Sequence, residues 1–259
     1  MSTLEKEMEP YKLGARRHRA NMLKAIKSDD APTAEKEFKF AINFIEEGFR
    51  FLSSYQAPDL TSQEDAGEGE SNVAEQLADL WGIKGGVYRA RGDETRDASG
   101  KNDFDRAVEA YDSGYQYESA PRFRILNSYA TVNRLVLRIL RDPALLQSDE
   151  PVPGIGLTMR DLLGRAATDI EHQLDKGRRD VAWALADIAM IDLLTGTDDV
   201  KEILNELSES TPTNPWPLES MLNVIRDLLR AGVGLHDRLV AAGEELRKKL
   251  PSAMKGPPL

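Results

Sequence analysis

Between residues 81 and 118 the chain alternates small and aromatic residues in a way that constrains its fold more than any other feature. Trp81, Gly85, Tyr88 and Gly92 fall on one helical span, and Ala107, Tyr111 and Gly114 on the next. Close packing explains the choice: Gly85 and Ala107 let two antiparallel helices approach, while Tyr88 and Tyr111 fill the space beside them. Deleting residues 94–103 joins Asp93 directly to Phe104, so the two spans read as one helix pair whose turn carries an insert, ETRDASGKND. The expectation is a surface loop there.

This spacing resembles a tetratricopeptide repeat. Lys84 stands where the pattern prefers leucine, and Pro121 comes a residue or two late for the closing proline. Ala34, Phe38 and Ala41 repeat the small-aromatic-small spacing and point to a degenerate second copy.

The rest of the chain reads as helix separated by polar or proline-rich breaks. Residues 4–28 and 32–55 make a first pair, joined at Ser28-Asp29-Asp30-Ala31-Pro32. Residues 57–71, APDLTSQEDAGEGES, lack apolar periodicity and read as a mobile acidic linker. Helices are expected near 72–92 and 103–118, then over 121–142, where apolar residues leave only a stripe of Asn127, Thr131, Arg134, Arg138 and Arg141. After a loop at 143–157 come helices at 158–176, 180–195, 199–209, 216–231 and 233–249. Gly196 is placed as a C-cap and Asp198 or Asp199 as an N-cap. The domain reading is therefore an N-terminal helix pair (1–56), the linker (57–71), a repeat region (72–250) and a flexible tail (251–259). The fold class expected is all-α, a tetratricopeptide-like α-solenoid.

Composition narrows the functional classes. Lys and Arg total 34 against 44 Asp and Glu, a net charge of −10, which disfavours generic attraction to nucleic acid or anionic membrane. Cysteine is absent, removing disulfides, thiol nucleophiles and thiolate metal sites. His18, His172 and His236 have no second histidine at metal-ligand spacing. The start lacks the apolar run of a signal peptide, and no stretch reaches the roughly 18 apolar residues of a membrane span. A cytoplasmic protein without metal or cofactor is the default. Gly154-Ile155-Gly156 lacks the third glycine of a dinucleotide fingerprint, and Trp81-Gly82-Ile83-Lys84-Gly85-Gly86 lacks phosphate-loop spacing. No catalytic constellation emerges, and the chain is read as non-enzymatic. His172 and His236 read as solvated, and His18 as part of a basic face, Arg16-Arg17-His18-Arg19.

The order of motifs also resembles the tetratricopeptide-like TRAF-binding domain of stress-activated kinase kinase kinases and its bacterial relatives. The residues concerned are Gly85 to Arg89, Ala107 to Tyr115, Tyr129-Ala130-Thr131-Val132-Asn133, and Trp216-Pro217-Leu218-Glu219-Ser220. That resemblance implies a helical platform for regulatory protein contacts, in bacterial relatives often accompanying signalling or defence effectors. Within these 259 residues the expected departures from the family are the insert at 94–103 and the lack of an attached kinase or other effector domain.

The arginine stripe supports two readings. Arginines on a helix otherwise committed to packing are costly to desolvate unless they meet carboxylates or a wet groove. In one reading Arg134 and Arg138 pair with Asp187 or Asp192 and set register. In the other they project into a concave groove with Asn127 and Arg89, and clamp an acidic peptide or a phosphate group. The expected function is an adaptor binding a protein partner through Arg89, Asn127, Arg134 and Arg138. The alternative is a phosphate or nucleotide sensor using the same residues.

Overall fold

The computed structural model describes residues 2–95, 98–196, 200–210 and 215–255. Among them the chain is all-α: ten α-helices, three short 3-10 turns and no strand. It divides into two compact units, the first ending at Arg134 and the second beginning at Leu135.

In the first unit, α1 (Thr3–Lys27) and α2 (Ala31–Leu52) form a hairpin. A reciprocal capping box between Ser2 and Glu5 starts α1, and Asp30 caps α2 by accepting from the Thr33 N–H, with Pro32 in the first turn. Antiparallel packing follows from the side-chain pairs, since Tyr55 reaches Glu7 at one end and His18 reaches Glu37 further along. The second hairpin is α3 (Glu68–Thr95) with α4 (Ala98–Glu118). Here Gly114 faces Ala78 and Trp81, Gly85 faces Tyr111, and Arg91 meets Asp103, again an antiparallel register. The core between α1, α2 and α3 holds Met22, Phe38, Ala41, Ile45, Ile83 and Val87.

Small residues sit where the sequence pattern asks for close approach. The Tyr111 ring covers Gly85, and Gly114 faces the Ala130 methyl. From the other side of α3, Phe38 of α2 meets Tyr88 with ring centroids 5.6 Å apart. Lys84 breaks the leucine preference without penalty: its ammonium lies over the Trp81 and Phe49 rings and reaches Glu46 at 2.7 Å.

Three expectations are corrected in this unit. The insert 94–103 does not form a surface loop; α3 continues to Thr95 and α4 starts at Ala98, with residues 96 and 97 outside the described residues. The Asp103 carboxylate, buried, accepts two hydrogen bonds from Arg91, at 2.6 and 2.8 Å. Within 57–71, α3 already begins at Glu68, and Arg122 binds the Asp59 and Glu64 carbonyls and the Glu70 carboxylate. Finally, the helix expected over 121–142 begins only at Tyr129. Pro121–Phe123 is a 3-10 turn and Arg124 takes a left-handed φ of 54°. The apolar residues that extend the helical pattern backward, Phe123 and Ile125, are buried against Ala74 and Ala78 from non-helical backbone.

Helix α5 (Tyr129–Arg141) runs across the division between the units. Its first turn is capped from a distance: the Glu118 carboxylate accepts from the Ala130 and Thr131 N–H groups at 3.0 and 2.9 Å, and the Asn127 side chain accepts from Tyr129 N–H.

The second unit contains α6 (Met159–Asp175), α7 (Val181–Thr195), α8 (Val200–Ser210), α9 (Trp216–Arg230) and α10 (His236–Lys249). Helix α7 is apolar nearly all round because α6, α8, α9 and α10 all pack on it. Gly196 closes α7 in the left-handed conformation, φ 79°, as its position predicts, and Arg238 donates to the Asp192 carbonyl there. The caps assigned to Asp198 or Asp199 lie outside the described residues. Of the segment read as a tail, Ser252–Met254 forms a 3-10 turn, and Arg226 and Arg247 both donate to the Lys255 carbonyl. Residues 256–259 lie outside the described residues.

Candidate functional site

The four residues expected to line a groove take separate positions. Asn127 is not helical; its amide nitrogen donates to Asp79, which also receives the buried Lys12 ammonium at 3.0 Å. Arg134 is buried, with its guanidinium 3.3 Å from the Tyr115 ring centroid and 3.5 Å from Asp112. The carboxylate beside it, Asp112, belongs to α4. Arg138 follows one turn later on α5, in the stretch assigned to the second unit.

Arg89 belongs to a polar cluster assembled from several helices. It is 8% exposed, and its Nη1 donates to Asn133 Oδ1 at 3.0 Å. Asn133 in turn donates to the Tyr129 carbonyl one turn earlier on α5, so its amide is fixed. Tyr129 lies along the glycine face of α3: a Cβ on Gly82 would stand 2.7 Å from its ring, and one on Gly86 3.0 Å from its hydroxyl. The same point above Gly86 is 3.7 Å from the Arg19 guanidinium of α1. Tyr111 completes the group from α4, edge-on to Tyr129 at 5.9 Å between ring centroids.

In this cluster Arg19 Nε is buried without a hydrogen-bond partner among the described residues, and the buried Tyr111 hydroxyl interacts with Tyr129. Burial foremost, and then neighbouring Tyr129, hold the Tyr111 pKa well above the usual phenol value, against the opposing pull of Arg89 and Arg19. The phenol is a fixed neutral donor at physiological pH. Arg89 was legible in the sequence as a cation on a packed helix. Arg19 was hidden in a basic run that reads as solvated surface, and Tyr129 in an apolar run. The usable signal was the glycine spacing Gly82, Gly85, Gly86: three glycines inside one helix, each costing about 1 kcal/mol of helix propensity, mark a face approached by something large.

A second feature lies along the α1–α2 seam. His18 stacks on Phe44 and meets Phe40 at a tilt, and Tyr11 meets Phe51, which meets Tyr55. Phe44 fits there because it lies over Gly14, where a Cβ would be 2.5 Å from its ring. His18 is held by Glu37 at 2.7 Å, so it is part of the seam and not of a free basic face. Leu13 and Phe40 stay 54% and 39% exposed beside it.

Among the described residues no group of three or more His, Asp or Glu side chains is placed to hold a metal ion, and no helix is long and apolar enough to cross a membrane. No protein-family model, curated protein or solved structure matches the chain.

Proposed function

We propose that this chain is a non-enzymatic scaffold or regulatory adaptor, a tetratricopeptide-like solenoid that holds a segment of another protein. The repeat reading is supported by the two small-aromatic-small triplets, one on the second helix of each hairpin, whose rings Phe38 and Tyr111 both pack on α3, at Tyr88 and at Gly85. The resemblance to TRAF-binding domains accords with this reading, as does a place in signalling or defence.

The observation that carries the docking surface is the aromatic seam. Leu13 and Phe40, with Tyr55 at the other end of the seam, expose large apolar side chains, and apolar surface of this kind serves recognition. Beside it, Arg17, one turn after Leu13, and Lys36, over the Phe40 ring, make no ion pair among the described residues, whereas Glu37 and Glu35 are taken by His18 and by Arg91 and Lys39. The surface suits an amphipathic partner helix carrying carboxylates, seated by apolar anchors and steered by charge. Asn127 and Arg134 hold internal contacts instead and act on binding only through the scaffold.

The test is co-purification from the native host with the wild type and with Leu13→Glu/Phe40→Glu. Both positions are exposed, so helical content and melting temperature should hold while the specifically retained protein is lost. Equal retention by the double variant would refute the surface.

A further inference from the structure

The face of α1 that carries Leu13 lies opposite the side that takes Met8, Ala15 and Met22 into the core, and the charges of this helix are sorted along its length. Residues 3–9 hold Glu5, Glu7 and Glu9 against Lys6, whereas residues 11–27 hold Lys12, Arg16, Arg17, Arg19, Lys24 and Lys27 and no carboxylate. Leu13, 54% exposed, stands where the two zones meet. Glu9 and Arg16 are one heptad apart, about 20° from each other around the helix axis, so they share one flank beside Leu13. Both reach solvent, and neither makes an ion pair among the described residues.

A helix with this layout is complementary to itself when two copies run antiparallel. The acidic end of each then lies against the basic stretch of the other, while a parallel pair sets like charges opposite one another. A twofold axis passing beside Leu13 brings Leu13 against its own copy, and on the shared flank it places Glu9 of each chain opposite Arg16 of the other. Ala20, small and exposed, falls opposite Lys6 and leaves room for its stem. The overlap covers residues 3–22 of both helices, about 30 Å.

We propose that the occupant of this face is α1 of a second copy of the chain, packed antiparallel about a twofold axis beside Leu13 and held in register by two reciprocal Glu9–Arg16 pairs. The proposal rests on the reading of this face as a docking surface and names a helix that fits it: one with an apolar anchor and carboxylates.

The experiment is analytical ultracentrifugation of the full chain over a range of concentrations. Wild type should show a concentration-dependent rise toward twice the chain mass. Glu9→Arg and Arg16→Glu should each weaken dimerisation by about tenfold or more, with the far-UV circular dichroism unchanged. The double variant Glu9→Arg/Arg16→Glu should dimerise like wild type. An equimolar mixture of the two single variants should do so as well, because each chain supplies the charges that the other lacks. Wild type at the single-chain mass throughout, or a double variant and a mixture no tighter than the single variants, overturns the pairing. A monomeric wild type that still retains a host protein through Leu13 and Phe40 removes the second copy and leaves the docking surface in place.

Discussion

Gly85 lies so close beneath the Tyr111 ring that a Cβ built on it would stand 2.7 Å from the ring edge. Tyr111 is fully buried and cannot swing away, so Gly85→Ala forces the α3–α4 hairpin apart. Overpacking of this kind costs about 1–3 kcal/mol, against roughly 1 kcal/mol gained from better helix propensity. The expected result is net destabilisation. Gly164, exposed within α6 with nothing within 4 Å of a built Cβ, is the control. There the same substitution should stabilise by about 0.5–1 kcal/mol. Urea unfolding of both variants checks the pair, and a stabilised Gly85→Ala would remove close packing as the reason for the motif.

What the sequence made legible follows from where its signals originate. Helix existence came from apolar periodicity and the close approach of α3 and α4 from paired small and aromatic positions, both local properties; that the ring over Gly85 is Tyr111 came only with the packing. The start of α5 was misread because Phe123 and Ile125 are apolar for a non-local reason: they pack with Ala74 and Ala78 from a 3-10 turn and the irregular segment after it. Periodicity counts buried residues whatever backbone buries them. Likewise the sequence marked Arg134 as needing a carboxylate but offered many, and only the packing of α4 selects Asp112. The cluster at Gly86 was illegible because its members come from four helices and no short spacing links them.

Lys12 is only 4% exposed, and Gln76 and Asp79 of α3 receive its ammonium at 2.9 and 3.0 Å. Removing the carboxylate alone leaves a buried cation uncompensated, whereas replacing both charges with apolar side chains removes the need for either. Asp79→Ala should therefore cost about 3 kcal/mol or more, and Lys12→Met/Asp79→Leu should recover much of that loss. Equilibrium unfolding of the single and the double variant tests the order. A double variant less stable than Asp79→Ala would show that the pair is net stabilising.

Glu118 is buried at the end of α4, and its two oxygens take the Ala130 and Thr131 N–H groups and the Thr131 hydroxyl. The carboxylate thus sits at the positive end of α5 and ties the second hairpin to the next helix. Glu118→Gln keeps the shape but loses the charge and turns one oxygen into a donor facing donors. A loss of about 1–3 kcal/mol is expected. Faster hydrogen exchange should appear first at Ala130 and Thr131. Exchange unchanged at those amides would show that α5 is not held by this contact.

Arg122 fixes the acidic stretch ahead of α3: its guanidinium binds the Glu64 and Asp59 carbonyls and, by two nitrogens, the Glu70 carboxylate. Glu70 is held below the ordinary 4.5, first by the Arg122 hydrogen bond and then by the Asp59 N–H; Asp59 is held below 3.8, first by the Thr61 side-chain hydrogen bond and then by the Thr61 N–H. A carboxyl whose folded pKa is depressed stabilises the native contacts above its unfolded pKa and loses that contribution as pH falls through the folded value. The clamp is accordingly intact above the ordinary carboxylate range and released below it. Arg122→Ala should open residues 57–66 to limited proteolysis at neutral pH, with cuts at Tyr55, Leu60 or Glu64 depending on the protease. Wild type should become cleavable there only on acidification, as read with an acid protease. Protection of this stretch in Arg122→Ala at neutral pH would show that other contacts hold it.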